Sequence, residues 1–395
     1  MKQQSAGITI SCLRALPLLL FVSVLGLLVT FRAVAQECPA PTAGANASVP
    51  GHPFSALPSA DDCWLFVSLS VNRDHGAVAV LHNQDGQFTL DHVVALKGHS
   101  YGESLSHDGK VLAVVGGGQV AVFDVGALEQ RAVNPILGIF RDGDGSGAIY
   151  AAISPDDRLL VVSDEHADRI SVYELARARS DGFASPKPSG RVPMAVAPVG
   201  LAFSPDGRWL YATSEKAPPR SLAASCEPEQ GNGRMHPEGL LFRIDVGLAV
   251  RDPAHAVVAA FPAGCNPVRV AVSPSGSQVW VTARGSDALL RFQTDDLLAR
   301  SHGAGYAKYS IGTSPVGLAV RPDGAQVWAA LSHRYGKKGL GQLAGVALEA
   351  NTSSVKLMST PAAGFPREIA FLHEGRTLVA TLFAAQRVEF VSTPP

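Results

Sequence analysis

Glu103, Tyr150, Arg269, Arg367 and Glu368 are the residues of this sequence that packing explains least. Each stands among small and aliphatic neighbours, where a charge or a phenol must be satisfied or used. The two arginines offer planar donor forks that suit a carboxylate or a sugar acid. The two glutamates balance them, either as an internal ion-pair set or as part of a ligand site. His52, His99 and Asn266 stand just before repeated segments and would ring an opening. Two histidines do not make a metal site, so no metal is expected, and no cofactor either. No Ser-His-Asp order, G-x-S-x-G elbow or phosphate-binding loop accompanies these residues.

What positions them is a repeat. Residues 198–211 recur at 267–280 and at 315–328, with weaker copies at 53–66, 100–113, 148–161 and 366–379. Each copy reads as a strand, a tight turn and a second strand. The turn column holds Asp61, Asp108, Asp156, Asp206, Ser275, Asp323 and Glu374. The next holds Asp62, Gly109, Asp157, Gly207, Gly276, Gly324 and Gly375, residue types that accept positive φ. Their spacing is not that of a calcium loop. Three columns on, Leu65, Leu112, Leu160, Leu210, Val279, Val327 and Leu378 are uniformly aliphatic and mark the core.

A third alternating strand follows each pair, as at 120–124 and 289–292, and a fourth, as at 257–261. Four strands per repeat of roughly 45 residues make a propeller blade. The expectation is an all-β chain with one seven-bladed β-propeller of four antiparallel strands per blade over 36–395. Residues 43–50 would complete the last blade and close the ring, removing its edges. First strands line the axis of such a ring. Tyr150, Arg269 and Glu368 share a column with Ser55, Gly102, Gly200 and Gly317. Glu103 and Arg367 break neighbouring columns. All five are expected to converge on the axis near the mouth, the face that carries the lead-ins to first strands and the loops from second to third strands.

The columns resemble the YVTN-type β-propeller repeat, P-x-G-x-A-x-S-P-D-G-x-x-x-Y-V, over nearly all of 36–395. Residues 154–173, from Ser154-Pro155-Asp156-Asp157-Arg158 to Asp168-Arg169-Ile170-Ser171-Val172-Tyr173, are similar to a segment of the propeller lactonases. That group includes 6-phosphogluconolactonase and the muconate cyclases. Blade four carries Ser214-Glu215 where those lactonases have Asn-Glu. The resemblance implies ligand roles for Asp168, Arg169 and Glu215. It also implies two histidines before the turn of blade three and an Arg-His pair before that of blade four. This chain has Ser146-Gly147-Ala148-Ile149 and Ala197-Pro198-Val199-Gly200 there. Lactone hydrolysis needs a base for water and donors for the oxyanion, so those departures weaken catalysis.

Blade four is longer than the rest, and its excess between Glu215 and Leu240 holds Cys226, His236 and Glu238. Blade six has a basic loop at 333–338. Both lie on the mouth face and read most simply as surface insertions.

Lys2 and Arg14 precede an apolar run at 15–31, which Ala33-Val34-Ala35 follows, the layout of a cleaved export signal over 1–35. The protein is therefore expected to be secreted or periplasmic, with no other membrane association. Sequons stand at 46–48 and 351–353. With 33 basic and 34 acidic residues the chain lacks the basic surface of a nucleic-acid binder. Cys38, Cys63, Cys226 and Cys265 remain after cleavage, and four cysteines allow three pairings. Cys226 and Cys265 fall on the mouth face and Cys38 and Cys63 on the opposite one, which predicts Cys38–Cys63 and Cys226–Cys265. The functional expectation is a monomer that binds a small molecule or protein at the mouth without efficient catalysis. Lactone or sugar-acid hydrolysis is the alternative. A quinoprotein-like dehydrogenase subunit stands third, because its cofactor chemistry is not visible.

Overall fold

The computed structural model describes residues 38–394 apart from 73, 144, 185, 219–223, 229–232, 300–303, 335–340, 349–354 and 363. The expected export signal, the sequon at 351–353 and most of the basic loop at 333–338 lie outside the described residues. Residues Glu37–Pro395 form one compact unit.

Seven four-stranded antiparallel sheets build this unit. Blade one runs through His52–Pro58, Trp64–Ser70, His75–Gln84 and Gln87–Lys97, and the next five blades follow in chain order. Blade seven takes Pro366–Leu372, Thr377–Leu382 and Arg387–Ser392 from the C-terminal end. Asn46–Ser48 supplies its outermost strand. Asn46, Ala47 and Ser48 pair with Glu389, Val388 and Arg387, so the N-terminal segment closes the ring. Short helices at Val125–Glu129, Leu175–Ser180, Val246–Arg251 and Thr294–Ala299 join third to fourth strands in blades two to five. Asp124 and Asp245 cap two of them through the N–H groups of Ala127 and Leu248.

The turn chemistry is as the columns require. Asp62, Gly109, Asp157, Gly207, Gly276, Gly324 and Gly375 all have φ between 54° and 89°. The aliphatic column from Leu65 to Leu378 is at most 1% exposed. Core clusters form between neighbouring blades: Leu65, Val67 and Leu69 of blade one pack with Val379, Val388 and Phe390 of blade seven.

Near the axis the blades lock through hydroxyls. First strands of six blades carry a register shift at the glycine-rich column, for example between Pro198 and Leu201. That bulge leaves a backbone N–H without a ladder partner. In blade four Thr213 accepts it from Gly200 at 2.9 Å and donates to Val268 O of blade five at 2.9 Å. Thr282 does the same between Arg269 N and Val316 O, and Thr381 between Glu368 N and Phe54 O. Ser68 accepts from Ser55 N and donates to Tyr101 O, and Ser163 donates to Val199 O. Each link joins a blade to its successor, and Thr381 joins the seventh to the first.

Both expected disulfides form, Cys38–Cys63 with Cα atoms 5.0 Å apart and Cys226–Cys265 with 5.7 Å. The second ties the blade-four insertion to the lead-in of blade five. That insertion includes a small hairpin, Ser225–Cys226 against His236–Pro237.

Candidate functional site: the axial mouth cavity

Consecutive residues of the first strands form rings at successive depths. The ring next to the mouth is Phe54, Tyr101, Ile149, Val199, Val268, Val316 and Arg367, one from each blade, and all line a cavity of about 210 Å³. Glu165, Glu215, Arg284, Arg334 and Phe365 complete the wall from mouth-face loops, and Arg269 lies at its floor.

One residue deeper lies the waist. Here Tyr150, Arg269 and Glu368 come from alternate blades three, five and seven, and Gly102, Gly200 and Gly317 from blades two, four and six. A Cβ on Gly102 would stand 2.6 Å from the Tyr150 ring, and one on Gly317 2.6 Å from Arg367 O. Small residues are therefore required beside the large ones. Arg269 donates to the Glu368 carboxylate at 2.8 Å, and both side chains are 6% exposed. The Arg269 guanidinium also lies 4.2 Å over the Tyr150 ring. Burial and the Glu368 charge raise the Tyr150 pKa above the usual phenol range, so it stays a neutral donor. This triad seals the axis.

The expectation that all five axial residues face the mouth is corrected here. Glu103 and Tyr150 line a separate funnel on the opposite face, together with the turns between first and second strands. The reason is strand geometry: each residue along a first strand descends by about 3.3 Å, so a shift of one or two columns crosses the waist. Glu368 belongs to the ion pair at the waist, and only Arg269 and Arg367 of the five reach the mouth cavity.

Arg367 is the unusual member. Its guanidinium lies 3.9 Å over the Phe54 ring and 5.4 Å from that of Phe383. Among the described residues it has no ion-pair partner, and its buried Nε has no hydrogen-bond acceptor. Burial, with Arg269, Arg334 and Arg284 nearby, lowers its pKa to about 9, so it is still a cation at neutral pH. Arg284, by contrast, holds Glu215 at 3.0 Å. Glu165, half-buried in the same wall, has its pKa raised by burial and by the Glu215 charge. The cavity thus joins a cation unpaired among the described residues, a paired Arg–Glu and a carboxyl whose proton is held more tightly than usual.

Of the residues that the lactonase-like segment singled out, only Glu215 faces this cavity. Asp168 is exposed, with φ 48°, and its carboxylate accepts from Ala197 N at 2.9 Å. Asp287 makes the same cap to Ser314 N in blade five at 2.8 Å, so the role is structural. Arg169 binds Asp142 at 2.8 Å, away from the cavity. Asp142 also holds Arg191 and shares the Ser171 hydroxyl with Asp164. His52 bonds Phe383 O at 2.8 Å and stacks on that ring, and His99 stacks on Tyr101. Asn266 is 3% exposed with φ 49°. It lines an annex beneath the blade-four insertion with Arg234, His236, Glu165 and Glu215.

Glu165 and Arg284 were missed in the reading of the repeats, yet the repeats contained the signal. Aligned on the aliphatic column, the ends of the second strands read Ser70, Gly117, Glu165, Glu215, Arg284, Ser332 and Phe383. Charges cluster in adjacent blades three, four and five, where the mouth cavity opens.

The chain has no match among the curated proteins. Two solved structures similar in fold are Kuenenia stuttgartiensis hydrazine synthase and the Cps50 (Swd1) β-propeller domain of Myceliophteria thermophila. The first has TM-score 0.65 and 16% identity, over 87% of this chain and 96% of that one. The second has TM-score 0.59 and 14% identity, over 87% and 98%. At such identities the likeness is one of fold. The family model described as lactonase, 7-bladed beta-propeller matches residues 53–332. With blades one to five and the first two strands of blade six spanned by that match, and seven blades in the ring, the chain belongs to the seven-bladed β-propeller lactonase family.

Proposed function

We propose that this protein is an exported member of its family that binds a small carboxylate-bearing molecule, such as a sugar acid, in the mouth cavity. The observation that carries the reading is Arg367, a half-buried guanidinium without a counter-ion among the described residues, stacked on Phe54 and turned to a cavity with three further arginines. A bound carboxylate would supply the missing charge and accept from its donor fork. A cavity of about 210 Å³ is on the scale of a six-carbon molecule. Two disulfides support folding in an oxidising compartment. Titration calorimetry with D-gluconate and D-glucose tests the reading. Gluconate should bind one to one and glucose not measurably; equal binding of both, or of neither, removes the carboxylate from the account.

A second reading, hydrolysis of a lactone to such an acid, is favoured by Glu165. Its raised pKa suits a general base, and the arginines beside it suit a developing oxyanion. A pH-stat assay with D-glucono-1,5-lactone separates the two. Turnover above the buffer rate that disappears in Glu165→Gln establishes hydrolysis, and turnover at the buffer rate leaves binding alone.

A further inference from the structure

We infer that the funnel on the opposite face of the waist is a second binding site, one for a small molecule with an apolar body and a single ammonium head, held by Glu103. The funnel has a volume of about 590 Å³. Leu57, Leu105, Ile153, Leu201, Phe203 and Val272 supply apolar parts of its wall, and His107 stands among its polar lining. Among these apolar groups Glu103 is 3% exposed, and neither carboxylate oxygen has a hydrogen-bond partner among the described residues. Ser55 stands near enough only to temper the cost of that burial.

Unpaired buried carboxyl oxygens are rare, because each gives up hydration without recompense. Packing does not require one here, since the equivalent column holds Ala151, Leu201, Val270, Leu318 and Ile369 in other blades. Nor does the waist ion pair use it, since Arg269 is committed to Glu368 and to the Tyr150 ring. Burial and the Glu368 charge hold the Glu103 pKa well above the usual carboxylate range. An arriving ammonium offsets that cost, because it supplies the counter-charge and the hydrogen-bond donors that the buried carboxylate lacks. Tyr150 and Phe203 add aromatic surface, which favours a cationic head over an anionic one. The two ends of the axis are thus opposite in character, arginine-rich at the mouth and carboxyl-bearing at the funnel, with the Tyr150–Arg269–Glu368 plug between them.

The test uses the whole protein and three probes of one length: hexylammonium, hexanol and hexanoate. Titrated by calorimetry at neutral pH, hexylammonium should bind at least about tenfold tighter than either of the others. Glu103→Gln keeps the shape of the side chain and should weaken hexylammonium about tenfold or more while hexanol is unchanged. Ala152→Phe narrows the funnel without touching the carboxyl and should weaken all binding of hexylammonium at an unaltered melting temperature. Hexylammonium binding no tighter than hexanol overturns the inference. So does affinity that survives either substitution.

Discussion

Replacing Arg269 with alanine removes one partner of an ion pair whose side chains are both 6% exposed. It leaves the Glu368 carboxylate in the waist without a counter-ion, and it takes a cation from the Tyr150 ring. Breaking a buried pair in this way costs about 3–5 kcal/mol. At about 2.1 cal/mol/K per residue, the unit Glu37–Pro395 unfolds with an entropy near 0.75 kcal/mol/K, so Tm should fall by about 4–7 °C. The pair itself contributes less than this figure, because two desolvated ions offset much of their attraction. The double variant Arg269→Met with Glu368→Leu should therefore recover most of the loss. Calorimetric melts of the two single variants and the double variant measure both quantities. A single variant that melts within about 1 °C of the parent would refute the plug, because the structural cost of a stranded buried charge admits no such result. A double variant as unstable as both single losses added would refute the pairing.

Other consequences follow from the same geometry. Thr213→Val leaves Gly200 N and Val268 O without partners at the axis and should cost about 1–3 kcal/mol, whereas Thr360→Val, on an outermost strand and outside that belt, should be near neutral in urea unfolding. Removing residues 43–50 unpairs the edge of blade seven and should lower the melting temperature of the whole unit in one transition; melting unchanged would show that Asn46–Ser48 does not close the ring. Burial and the neighbouring Asp142 raise the Asp164 pKa to about 7, above its unfolded value. Its contribution to stability is therefore fully present below the unfolded pKa near 3.8 and is lost as pH rises towards 7. Asp164→Asn, which resembles the protonated form, should flatten the decline in stability between about pH 4 and 7; a decline of unchanged slope would assign it to other groups.

Much of this was legible in the chain because it is periodic. The positive-φ column from Asp62 to Gly375 is a local backbone requirement, repeated in every blade, so residue type alone reveals it. The disulfides followed from which face each loop occupies, a matter of strand parity. Depth along the axis is another kind of fact. Whether Glu103 faces the mouth or the far funnel depends on where the waist falls, and that is set by Arg269 meeting Glu368 across 99 residues of sequence. No column encodes such a meeting. Asp168 misled for a related reason: a carboxylate in a lactonase-like segment looks chemical, and only its bond to Ala197 N shows that it caps the next blade. The hydroxyl belt of Ser68, Ser163, Thr213, Thr282 and Thr381 was visible as a column, but Val115 and Ala330 interrupt it. Its purpose emerges only when the bulged N–H groups are in view.

The claim at the centre is that Arg367 awaits an anion. Calorimetric titration of D-gluconate into the parent protein and into Arg367→Met tests it most directly, since methionine keeps apolar contact with Phe54 and removes only the charge and the donor fork. The expected result is one-to-one binding to the parent and a loss of about tenfold or more in the variant, at an equal or higher melting temperature because a half-buried charge without a partner among the described residues has gone. Equal affinity in the two proteins, or a variant that melts several degrees lower, would contradict it.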